Sequence, residues 1–100
     1  MGIFSANKNE LKVRPEVRSN PEAYECLRVW MQQGAPMVHI EKIREIDDPR
    51  AWGSVLADVA AFASHKYDND KDGEALAAIQ EMFNSLVGEW VKQRRENSTQ

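Results

Sequence analysis

The stretch Cys26-Leu27-Arg28-Val29-Trp30-Met31-Gln32-Gln33-Gly34-Ala35-Pro36-Met37-Val38-His39-Ile40-Glu41 decides the fold. Apolar residues recur at every second place in both halves, the period of a strand with two unlike faces. Between the halves, Gln33-Gly34-Ala35-Pro36 fits a type II′ turn, in which the first central residue, here Gly34, needs a positive φ. Such a turn sets the register. Met31 is then expected opposite Val38, and Val29 opposite Ile40. On the other face Trp30 meets His39 and Arg28 meets Glu41. One face is aliphatic, and the other carries a tryptophan and a cross-strand charge pair.

Working outward, Glu10-Leu11-Lys12-Val13-Arg14 alternates and then meets Pro15, which reads as a short edge strand. Ser19-Asn20-Pro21-Glu22 is a helix-start signal, with Asn20 as cap and Pro21 in the first position, for a turn or two at most. Beyond the hairpin, Asp48 caps and Pro49 opens a long helix with the stripe Trp52, Val55, Leu56, Val59, Phe62, Ala63 and Tyr67. The stretch 68–73 breaks it. A second helix follows from about Asp72 to Arg95, with Leu76, Ile79, Phe83, Leu86 and Trp90 recurring at steps of three and four. Trp52 and Trp90 are therefore expected in the core. The class is α+β: a short antiparallel sheet, hairpin plus N-terminal edge strand, packed on two long antiparallel helices in two layers. Residues 9–95 form one expected domain, with tails at 1–8 and 96–100.

Sixteen acids against thirteen bases give a net charge of −3, which supplies no overall attraction to nucleic acid or to an anionic membrane. Lys92, Arg94 and Arg95 read as cations that favour the end of the second helix dipole. No apolar run reaches the ~18–20 residues of a membrane span, and the first residues lack the pattern of a secretory signal. The one cysteine, Cys26, has no internal partner, which fits a reducing, cytoplasmic setting.

Asp68-Asn69-Asp70-Lys71-Asp72-Gly73 matches the first half of a calcium loop, with Asp68, Asp70 and Asp72 as candidate ligands. The match fails where a bidentate glutamate is needed, because that position is Ile79 and Glu81 comes two residues late. The plainer reading is a solvated connector in which Asp70 or Asp72 caps the second helix. His39 and His65 lack ligand spacing. Cys26 has no histidine at a motif spacing, no Gly-x-Ser-x-Gly occurs, and the five glycines are isolated. No catalytic residue and no cofactor is assigned, and an enzyme ranks below the other readings.

The outer hairpin face is the exception. Arg28, Trp30, Met37, His39 and Glu41 gather residue types enriched at binding surfaces. The expected function is a non-catalytic interaction module or homodimer using this face, its partner a second copy or another protein. The alternative function is small-ligand or calcium binding through Asp68–Gly73. The competing reading of Trp30 is that the N-terminal segment, through Ile3, Phe4 or Val17, folds over it.

Glu25-Cys26-Leu27-Arg28-Val29-Trp30, followed by Asp48-Pro49-Arg50-Ala51-Trp52-Gly53-Ser54-Val55-Leu56-Ala57-Asp58-Val59-Ala60, with Pro15-Glu16 upstream, resembles a small bacterial family called domain of unknown function 5076. The resemblance spans roughly residues 10–92. It implies a cytoplasmic bacterial protein of this size. It brings no activity, cofactor or catalytic residue to carry over.

Overall fold

The computed structural model describes residues 7–67 and 73–98. The chain is organised as two compact units, Met1–Lys42 and Ile43–Gln100.

The first unit opens with a single helical turn, α1, over Pro15–Arg18. Pro15 stands at its start, where the missing amide costs nothing. Two expectations change here. Residues 11–14 carry no strand, so the expected N-terminal edge strand is absent and the sheet has two strands among the described residues. Pro15 turns the chain into α1 before alternation can become a ladder. The Asn20-Pro21 signal likewise starts no helix, because the Asn20 Oδ1 accepts the Glu22 amide at 2.9 Å and closes a local turn.

β1 spans Leu27–Gln32 and β2 spans Ala35–Ile40, paired antiparallel. The turn residues are Gln33 and Gly34, with φ of 53° and 77°. Two left-handed central residues make a type I′ turn, not the expected type II′ at Gly34-Ala35. The cause is Pro36. A turn centred on Gly34-Ala35 would be closed by the Pro36 amide, and proline has none. Centred one residue earlier, the turn is closed by Ala35, which can donate. The register moves accordingly. Leu27 pairs with Ile40, Arg28 with His39, Val29 with Val38, Trp30 with Met37, Met31 with Pro36, and Gln32 with Ala35.

In the second unit, α2 spans Arg50–Ser64 and α3 spans Glu74–Ser98. The N-cap residue is Pro49, one place later than the expected Asp48, because Arg50 is the first helical residue; the Asp48 Oδ1 still accepts the Arg50 amide at 2.9 Å from just outside the helix. Gly73, at φ 72°, leads into α3. α3 begins two residues later than expected and continues beyond Arg95 through Ser98. The two helices pack on each other. Ser64 is buried, and its hydroxyl donates to the Ala61 carbonyl at 2.7 Å.

Both helical stripes exist, but neither is enclosed. Among the described residues no apolar side chain is buried. Phe62 is 71% exposed, Phe83 and Leu86 are each 46% exposed, and Trp90 is 52% exposed. Trp90 is therefore not a core residue of a single copy, and Trp52 is half-buried. Periodicity identifies residues that share a helix face. It carries no information about what covers them. No helix among the described residues is long and apolar enough to cross a membrane.

Candidate interaction surface

Strand alternation divides the hairpin into two faces. Leu27, Val29, Met31, Pro36, Val38 and Ile40 share one. Arg28, Trp30, Gln32, Ala35, Met37 and His39 share the other. The five residues expected at an interaction surface fare differently. Trp30 and Met37 form a directly opposed pair, and so do Arg28 and His39. Glu41 lies beyond β2, where its amide donates to the Cys26 carbonyl at 2.9 Å. It therefore sits level with Cys26, and the expected Arg28–Glu41 pairing does not form in this register.

The ion pair of Arg28 is with Glu25 instead, Nη2 to Oε1 at 2.7 Å. Glu25 hydrogen-bonds to the guanidinium and attracts it electrostatically, which raises the Arg28 pKa; Glu10 adds a smaller attraction. Both side chains are about half exposed, so the pair orients Arg28 more than it stabilises the fold. The spacing of three residues was the available signal for Glu25. Strand alternation alone does not reveal it.

An open groove of about 760 Å³ runs along β1. One wall is the N-terminal stretch, with Asn7, Asn9, Glu10, Leu11 and Val13. The hairpin supplies the other, including Arg28, Trp30, Met37 and His39. Trp30 is half-buried, whereas Arg28, Met37 and His39 are exposed. The N-terminal stretch thus flanks Trp30 without sealing it, and Leu11 remains 89% exposed. Of the residues expected to cover Trp30, Val17 is exposed and is not among those lining the groove, and Ile3 and Phe4 lie outside the described residues.

Asp68, Asp70 and Asp72 also lie outside the described residues, so the calcium reading and the capping reading of that stretch are not placed. Among the described residues no three His, Cys, Asp or Glu side chains gather in a way that could hold a metal ion. His65 caps the C-terminal end of α2, its amide donating to the Phe62 carbonyl. Cys26 is a half-buried free thiol at the foot of the hairpin.

A two-stranded sheet followed by two long helices, with an open groove along β1, defines a small α+β chain. The chain belongs to the family described as a domain of unknown function (DUF5076), whose model matches residues 10–89. Among solved structures it is similar to a protein provisionally named a pyruvate dehydrogenase, from the photosynthetic bacterium Rhodopseudomonas palustrus CGA009. The TM-score is 0.64 and the identity 28%, over 84% of this chain and 99% of that one. No curated protein matches the chain.

Proposed function

We propose that this protein is a non-catalytic interaction module whose contact surface is the outer face of its hairpin. The observation that carries the reading is the Trp30–Met37 pair beside the Arg28–His39 pair, both bordering an open groove. Tryptophan, methionine and arginine are the types enriched at binding hot spots and interface cores. The family match runs from residue 10 to 89 across both units, which supports treating residues 9–95 as one functional domain. A lone thiol at Cys26 fits action in the cytoplasm. The enzymatic name of the structural relative finds no counterpart in the motifs of this chain, whose five glycines are isolated and form no phosphate loop.

The test is the stability of Trp30→Ser. A side chain that waits for a partner contributes little to its own chain beyond its contact with Met37, so the loss should stay below about 1.5 kcal/mol by chemical denaturation. A loss of about 3 kcal/mol or more, the range for a truncated core aromatic, would assign Trp30 to internal packing and end the reading.

A further inference from the structure

We infer that the outer edge of β1 is a pairing surface whose occupant is β1 of a second copy, running antiparallel about a two-fold axis at Val29. The pairing uses main-chain groups at the edge of the strand, so it stands whether or not the outer face of the hairpin is a contact surface.

The phase of the ladder shows which groups are free. In an antiparallel pair, directly opposed residues alternate between those that exchange both hydrogen bonds and those that exchange none. The residues that flank a two-residue turn are of the first kind, here Gln32 and Ala35. Trp30 with Met37 and Arg28 with His39 repeat that kind at every second place. The bond from the Glu41 amide to the Cys26 carbonyl continues the same phase beyond the strands. Leu27, Val29 and Met31 are therefore of the second kind, and their amides and carbonyls point away from β2. Among the described residues no backbone bond from outside the hairpin reaches them.

The two edges of the hairpin are unlike. Pro36, Val38 and Ile40 present the outer groups of β2, and Pro36 supplies no donor, which blunts that edge. The groove takes in every residue of β1 but only Met37 and His39 of β2, so it opens along the β1 edge. Its other wall holds hydrogen bonds only within itself, from the Asn9 and Glu10 amides to Asn7, and yields to an incoming strand. An edge with its donors and acceptors unpaired is a template for a further strand.

The sequence of β1 complements itself. Pairing about Val29 sets Leu27 against the partner's Met31 and Arg28 against the partner's Trp30. Aliphatic residues then meet on one face. On the other, a guanidinium meets an indole on each side of the axis, a cation–π contact. Moving the axis to Arg28 opposes two like charges, which repel. Moving it to Trp30 drives Leu27 against Gln33 of the turn, whose φ of 53° is not that of a strand. An isologous contact of this kind closes as a two-fold dimer with one four-stranded sheet.

The experiment begins with light scattering coupled to gel filtration on the full chain, over a concentration series. The expected mass is twice 11.4 kDa. Val29→Pro removes a donor that the β1–β2 ladder does not use, so it should return the mass to the single-chain value while circular dichroism stays unchanged. Because proline also constrains the strand, a cross-link reads the register directly in a Cys26→Ser background. Val29→Cys places a thiol opposite its own copy, about 5.5 Å apart between Cα atoms, within the span of a disulfide. Met31→Cys lies about 14 Å from its copy. Under mild oxidation Val29→Cys should link at least ten-fold faster, although Met31 is the more exposed residue, 67% against 50%. A single-chain mass throughout the series overturns the proposal, as when residues 9–14 fold onto β1 as its third strand or the edge serves a different protein. So does linking of Met31→Cys as fast as Val29→Cys. The denaturation of Trp30→Ser, which tests the outer face, is read separately from both.

Discussion

Trp30 and Met37 face each other directly across the hairpin, one from each strand. A thioether beside an aromatic ring is worth about 0.3–1.5 kcal/mol. A double-mutant cycle on Trp30→Ala and Met37→Ala should show coupling in that range by urea denaturation. The diagonal pair Trp30 and His39 should couple less. Stronger coupling to His39 would mean the register closes on a different turn.

The turn makes a second prediction. Gly34 sits at φ 77°, where a side chain is strained, and Gln33 at 53°, where asparagine is better suited. Gly34→Ala should cost about 1 kcal/mol or more. Gln33→Asn should stabilise the hairpin by a few tenths of a kcal/mol. Melting curves of the two variants should shift in opposite directions.

Asp48 predicts acid sensitivity. The Arg50 guanidinium, bonded to both Asp48 oxygens at 3.2 and 3.1 Å, holds its carboxyl below the ordinary value, and the Arg50 amide adds to this. A carboxylate with a depressed folded pKa adds stability above its unfolded value of about 3.9. That contribution disappears as pH falls through the folded value. The melting temperature of the native chain should therefore drop more between about pH 4 and pH 2 than that of Asp48→Asn. Equal slopes would remove Asp48 from the acid response.

Gly53 and Gly88 lie inside helices, and a Cβ built on either meets nothing within 4 Å. Each change to alanine should stabilise the fold by about 0.5–1 kcal/mol. For a chain of this size that is a rise of a few degrees in melting temperature.

Calcium provides the remaining test, directed at Asp68, Asp70 and Asp72. A ligand at a hundred times its dissociation constant adds about 2.7 kcal/mol. Millimolar calcium should leave the melting curve in place. A clear upward shift would establish the ion site that Ile79 argues against.

The faces of the hairpin were legible in the sequence although its turn was misplaced. Moving a two-residue turn by one position changes each residue's partner by two places, and side chains alternate with a period of two. The face of Trp30 is therefore the same in either register, while its partner changes from His39 to Met37. The missing donor of Pro36 was the clue to the correct turn, and it was written in the chain. The helices were legible too, from Asp48 at one end and the stripes along them. That α2 and α3 pack on each other was legible as well, while the burial of their stripes was not. A pattern of three and four states that a face is to be covered, and covering is a property of neighbours. The Arg28–Glu25 pair escaped for a similar reason, since an ion pair on a half-exposed surface leaves no periodic trace.

The tight turn at Gln33-Gly34 bears on how quickly the first unit takes shape. It joins two strands that are neighbours in sequence, so pairing them closes only a short loop. Hairpins of this kind form in about 1–10 μs. The strand ladder should therefore be in place well before slower events of folding, and its formation rate should not change with protein concentration.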